Sequence, residues 1–211
     1  MIFDLSLPIF PDMPVYPGDQ NVIFTPTLTH ESCGYNVHYV SLSTHTGTHI
    51  DAPAHTSRDG EAVDTDRVLD ACIGEALVVN VSDRLVDNEI RPSSLENALT
   101  GVKKGERILL ATGWSDQFGK DEYYRDFPSL SEELTDILVQ RSIALVGLET
   151  PSVHSVKDDS IHRKLLSAGI IIVEGLARLK ELGEGRVFFS AAPLKLRDLD
   201  GSPVRAYGIR P

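Results

Sequence analysis

The chain has 211 residues, 41% of them hydrophobic, with 31 acidic against 20 basic side chains and a formal charge of -11. That length suffices to bury a sizeable core, while the acidic excess excludes a nucleic-acid partner, which would need clustered Lys and Arg. Cys33 and Cys72 show no CxxC spacing, so neither a disulfide framework nor a thiolate zinc site is expected, and both are predicted to be small buried hydrophobes.

Ile2, Phe3, Leu5 and Leu7 open a predicted strand. Pro8, Pro11, Pro14, Pro17 and Gly18 then force an irregular, rigid loop through Tyr16 and Asp19, of the kind that walls a pocket or covers a surface. Asp4 stands where a secretory signal needs basic residues, the prolines interrupt the apolar run, and no apolar stretch approaches a membrane span. A cytoplasmic chain with no membrane partner is the expectation. Val22 to Leu28 and Asn36 to Leu42 predict a strand pair, the second running straight into the densest chemistry in the chain.

That stretch is Ser43-Thr44-His45-Thr46-Gly47-Thr48-His49-Ile50-Asp51-Ala52-Pro53-Ala54-His55. His45, Gly47, His49, Asp51 and His55 all carry odd numbers, so in an extended strand they share one face. A helix would turn Asp51 away, and the local Gly, Pro and Thr disfavour one. Gly47 is expected to leave room for an ion near the backbone. The helical zinc-protease motif is excluded, because Thr46 rather than Glu follows His45. Clustered imidazoles beside a carboxylate need a compensating charge, which a divalent cation supplies; mixed N and O donors suit zinc, with manganese or iron as alternatives.

From Ala76 onward strands alternate with helices. Leu77 to Val81 is a predicted strand, and Pro92-Ser93-Ser94 starts a helix through Leu99 that Gly101 closes. Lys103, Lys104 and Arg107 are expected to be solvated charges. Ile108 to Ala111 is the next strand, followed by the aromatic patch Trp114, Phe118, Tyr123, Tyr124 and Phe127, which core packing explains slightly better than a pocket cap or a subunit interface, except for Trp114 at the end of its strand. Ser129 and Glu132 have capping-box spacing for a helix to about Arg141, and Ile143 to Leu148 follows as a buried strand. A third helix fits Ser160 to Ala168 with Gly169 as its stop, ahead of strand Ile170 to Val173; Val187 to Phe189 and Val204 to Ile209 finish the sheet. Alternation of this kind builds parallel units, with the early strands antiparallel, and no repeat or linker divides residues 1–211, so a single α/β domain with a mixed sheet is predicted. His162, in the first turn of the third helix, and Glu174, at the carboxyl end of the following strand, fall where such folds place their chemistry.

The sequence resembles the metal-dependent cyclase family, which includes bacterial kynurenine formamidases. The resemblance rests on the run from His45 to His55, on Val15-Tyr16-Pro17-Gly18-Asp19, on Thr150-Pro151-Ser152-Val153, on His162 and Glu174, and on Pro193-Leu194-Lys195 with Asp200-Gly201-Ser202-Pro203-Val204-Arg205-Ala206. It implies a swivelling β/β/α fold assembled as a homodimer or homotetramer. It also implies two zinc ions per subunit, one held by His45, His49 and Asp51, the other by His162 and Glu174 with Asp51 bridging. His55 would carry the catalytic proton and Tyr16 would touch substrate.

Under that resemblance the expected activity is hydrolysis of a small aromatic amide, N-formyl-L-kynurenine giving L-kynurenine and formate, by a water activated between the two cations. The alternative is hydrolysis or dehydration of a cyclic amide such as isatin or of a small carbonyl acid. A metal-binding domain without a reaction is disfavoured, since a structural site has no use for a free base such as His55. Tyr16 stands where formamidase-like members carry Trp, Glu149 where Asp is commoner, and His154 also departs from the pattern.

Overall fold

The computed structural model describes residues 1–120, 122–155 and 158–210. In chain order it contains β1 (Ile2–Asp4), β2 (Ile23–Leu28), α1 (His30–Cys33), β3 (Val37–Ser41), β4 (His49–Asp51), α2 (Asp66–Cys72), β5 (Ile73–Asn80) and β6 (Glu89–Ile90). There follow β7 (Arg107–Ala111), β8 (Ser129–Leu130), α3 (Glu132–Gln140), β9 (Leu145–Leu148), α4 (Ser160–Ser167) and β10 (Ile171–Glu174). The chain closes with α5 (Leu179–Leu182), β11 (Gly185–Ser190), β12 (Gly201–Pro203) and β13 (Tyr207–Ile209).

Nine of these strands form one mixed sheet in the order β1-β13-β11-β5-β7-β9-β10-β4-β12. Its centre, β5-β7-β9-β10, is parallel, and every flanking pair is antiparallel. Parallel strands covered on both faces must be apolar on both, and they are. Val78, Leu109, Leu145 and Val173 pack under α2 and α5, whereas Val79, Ile108, Val146 and Ile172 pack under α3, α4 and the 3-10 segment Pro92–Gly101. At about 25 cal/mol per Å² of apolar area these two cores are the main driving force for the fold.

The β10–β4 pairing positions the chemistry. Its register sets Asp51 opposite Ile172 and Glu174 opposite His49, so these polar side chains lie on the Ile172 face, the one that α4 covers. On the far side β12 pairs with β4, placing Gly201 opposite Asp51.

Several expectations need correction. The segment from Pro92 is 3-10 rather than α, and Ser94 turns its hydroxyl to the Arg84 carbonyl. The α3 cap is Ser131, whose hydroxyl accepts from the Leu134 N–H at 3.1 Å, because Ser129 is engaged in β8 opposite Glu89. Cys72 is buried, with burial pushing its thiol up to about 12, but Cys33 is exposed in α1, which joins β2 to β3 away from either core. Arg107 is not a free surface charge; its guanidinium donates to the carbonyls of Ala71 and Asp70 at the end of α2. Among the described residues no helix is long and apolar enough to cross a membrane.

Candidate metal centre

The run from His45 to His55 is not one extended strand. Only His49–Asp51 is a strand; His45 precedes it in a turn and His55 ends a 3-10 turn, Pro53–His55. Gly47, at φ +63°, makes the first bend, and a Cβ there would meet Ile9 Cγ1 at 3.1 Å. Its glycine therefore serves the turn and the contact with Ile9 rather than room for an ion. Pro53 makes the second bend as the first residue of its 3-10 turn. The side chains meet because the backbone folds around them, with β4 as the middle of the arc.

Asp51 is the centre. Its Oδ1 lies 2.7 Å from His45 Nδ1 and 3.4 Å from His49 Nε2, while Oδ2 lies 3.6 Å from His162 Nε2. Glu174 completes the ring, with Oε1 3.0 Å from His162 Nε2 and Oε2 3.5 Å from His49 Nε2. The backbone N–H of Val153 donates to Glu174 Oε1 at 2.9 Å, and His49 Nδ1 donates to the Gly47 carbonyl at 2.9 Å. That second bond fixes the His49 tautomer and leaves Nε2 facing both carboxylates. The structure thus brings together all five residues expected to hold metal.

In two of the sets they form, His45/His49/Asp51 and Asp51/His162/Glu174, one donor atom from each residue lies within 4.8 Å of the others, and Asp51 belongs to both. The fit to cations can be tested on the geometry itself. Asp51 Oδ2 is buried with no hydrogen-bond partner among the described residues, a costly arrangement for a carboxylate. Its separation from His162, 3.6 Å, exceeds a hydrogen bond and lies near the roughly 3.3 Å between neighbouring ligand atoms around a tetrahedral ion with bonds of about 2.0–2.1 Å. The residues present fit divalent cations.

Electrostatics follow from the burial of these charges beside one another. Burial works against protonating His45 and His49, but Asp51, with Asp200 for one ring and Glu174 for the other, outweighs it and holds their pKa values up to about 9 and about 10. Burial likewise raises Asp51 and Glu174, and the neighbouring imidazoles overcome it, keeping both carboxyls below their usual range. His162 is raised, its loss of solvent overcome chiefly by Glu174.

The cluster floors a cavity of about 680 Å³, large enough for an aromatic metabolite. Tyr16 and Asp19 from the proline-rich loop line it together with Phe118, Tyr123 and Tyr124. The aromatic patch is therefore a pocket wall in part. Tyr16 stacks edge-on against Tyr124 with ring centres 6.0 Å apart, and Phe118 against Tyr123 at 5.3 Å. Trp114 stands behind, its indole N–H donating to the Tyr123 carbonyl at 3.0 Å, and Phe127 is buried outside the cavity. Glu149 also lies outside the cavity lining: it accepts from the Gly113 and Leu179 N–H groups and the Ser115 hydroxyl, while burial pushes its carboxyl up. His154 is not part of the cavity lining; its Nε2 lies 3.4 Å from Asp158 Oδ2.

His55 sits at the cavity edge, its ring centre 4.2 Å from that of His45 and 6.1 Å from that of His162. Its Nδ1 contacts Asp200 Oδ2 at 3.0 Å, and the same oxygen lies 2.8 Å from His45 Nε2. Sequence reasoning gave Asp200 no role of its own; it stands next to Gly201, and only the pairing of β12 with β4 carries it to the site.

The family model Cyclase, described as "Putative cyclase", matches residues 3–155. The chain is 37% identical to a kynurenine formamidase of Bacillus mycoides over 99% of this chain and 96% of that protein. A solved structure described as a potential metal-dependent hydrolase with cyclase activity is 30% identical and superposes with a TM-score of 0.81, covering 99% of this chain and 96% of the other. Isatin hydrolase A from Labrenzia aggregata, solved with benzyl benzoate bound, is 27% identical with a TM-score of 0.87, covering 99% and 93%.

Proposed function

The chain belongs to the cyclase family, and from that premise we propose that it is a metal-dependent amidohydrolase of aryl formamides, converting N-formyl-L-kynurenine to L-kynurenine and formate. The observation that carries this reading is the carboxylate of Asp51, buried between three imidazoles with one oxygen lacking a hydrogen-bond partner among the described residues, on the floor of an aromatic cavity beside His55. Residues 1–211 act as one catalytic unit.

In this reading His45, His49 and Asp51 hold one cation, and His162 and Glu174 hold a second with Asp51 shared. The N and O donor set favours zinc, with manganese as the alternative. When bound, such a pair makes water a ready nucleophile near neutral pH and offers positive charge to the oxyanion that develops on the scissile carbonyl.

The remaining work falls to the protein. Tyr16, Phe118 and Tyr124 pack against the aryl ring and exclude water from the cavity. His55 accepts the proton of the attacking water and delivers it to the departing aryl amine nitrogen as the C–N bond breaks. A C–O bond replaces a C–N bond, and formate and the amine leave.

A second reading, opening of a cyclic amide, is favoured by the likeness to isatin hydrolase A. Turnover of N-formyl-L-kynurenine compared with isatin separates the two: preference for the formamide supports the first, and preference for isatin overturns it. Self-association is part of the proposal. The β2–β3 ribbon forms its own two-stranded sheet and exposes Ile23, Phe24, Val37, Tyr39 and Val40. An isolated two-stranded ribbon is marginally stable in water, and a second copy of the chain is the occupant we assign to it.

A further inference from the structure

We propose that Asp200 is a positioning residue that holds His55 with its proton on Nδ1, so that Nε2 is the nitrogen that accepts and returns the proton in catalysis. This rests on His55 as the proton carrier. Asp200 Oδ2 lies 3.0 Å from His55 Nδ1 and 2.8 Å from His45 Nε2. A carboxylate can only accept, so both of these ring nitrogens carry hydrogen.

The carboxylate is itself held in place. Its Oδ1 accepts the Thr44 hydroxyl at 3.2 Å, its backbone carbonyl accepts the Ala52 N–H at 2.9 Å, and the next residue, Gly201, is in register with Asp51. Gly201 also makes room for the arrangement: a Cβ there would stand 2.9 Å from His45 Cε1 and 2.7 Å from the Ile50 carbonyl oxygen. One carboxylate thereby faces two neighbouring imidazoles: it sets the tautomer of His55, and on His45, whose Nδ1 also faces Asp51 at 2.7 Å, it holds the hydrogen that stays when Nδ1 gives up its own. His45, with hydrogen on Nε2, keeps Nδ1 for the site shared with Asp51, and His55 keeps Nε2 for the reaction.

Asp200→Asn is the informative change, because it keeps the shape and reverses the hydrogen bonding. With its oxygen accepting from the Thr44 hydroxyl, the amide turns its NH₂ group toward the histidines, so that His45 Nε2 and His55 Nδ1 must both become acceptors and the His55 proton moves to Nε2. The experiment uses the full-length zinc-loaded protein, Asp200→Asn, His55→Ala and the double variant, assayed on N-formyl-L-kynurenine at matched metal content. Asp200→Asn is expected to lower kcat about 100-fold with KM within about twofold, and to add less than about twofold in the His55→Ala background.

A second readout needs no metal or turnover. In metal-free protein with ¹⁵N-labelled histidine, the neutral His55 ring should show its proton on Nδ1, and in Asp200→Asn on Nε2. An unchanged His55 tautomer, or the same fold loss in both backgrounds, overturns the proposal. Full activity of Asp200→Asn beside an inactive His55→Ala overturns it while leaving His55 as the carrier; full activity of His55→Ala overturns the reading beneath it. If Asp200→Asn does not fold, Thr44→Val reads the same anchor: a kcat reduced about fivefold supports the proposal, and an unchanged kcat refutes it.

Discussion

Zinc binding to the first donor set should expel about two protons near pH 8. In the metal-free protein His45 titrates at about 9 and His49 at about 10, so at pH 8 the first ring is roughly 90% protonated and the second roughly 99%. Zinc binds only neutral imidazole, so both protons must leave, and the apparent affinity should rise about 100-fold per pH unit in that range. His162→Ala removes the imidazole of the second set and isolates the first. Calorimetric titration of that variant with zinc, in buffers of different ionisation enthalpy, gives the proton count as the slope of apparent against buffer enthalpy. Release of fewer than about one proton would show that Asp51 does not charge these rings, and the reasoning would fail.

The same shifts set the pH dependence of the metal-free fold. His45 and His49 bind protons more tightly folded, at about 9 and about 10, than at their ordinary 6.5. Their contribution to stability is thus complete below pH 6.5 and disappears as pH rises through 9 to 10. Urea midpoints for chelated protein should fall over that window, and a constant midpoint would contradict the charge assignment. His55→Ala should retain its metal by elemental analysis while kcat falls at least about 100-fold; full turnover would remove His55 from the reaction. Replacing Tyr39 and Val40 on the exposed ribbon by Lys should give a monomer by light scattering, and an unchanged mass would place self-association elsewhere.

The parallel core was legible because both faces of its strands are apolar: Leu77 to Val81, Ile108 to Ala111 and Ile170 to Val173 announce themselves without context. The run from His45 to His55 stood out for a different reason, since imidazoles and carboxylates at this density have few other uses, whereas His162 and Glu174 were singled out only by their places in the chain and by resemblance. What sequence could not supply was backbone path. Odd numbering suggested one straight strand from His45 to His55, whereas Gly47 and Pro53 bend the chain on both sides of β4. The strand pairings that set Glu174 opposite His49 and Asp200 beside His55 join residues far apart in the chain, and local pattern carries no trace of them. The aromatic patch erred toward the core because Tyr123 is buried and also lines the cavity, two properties that composition cannot separate.

Asp51 belongs to both donor sets, so the count of cations per chain before and after its loss bears most directly on the whole account. Protein stripped with a chelator and reloaded with zinc should take up two ions per chain and regain activity in step, while Asp51→Asn should retain neither ion tightly and remain inactive. A chelated wild-type chain that turns over substrate at its full rate, or an Asp51→Asn chain that still holds two ions, would contradict it.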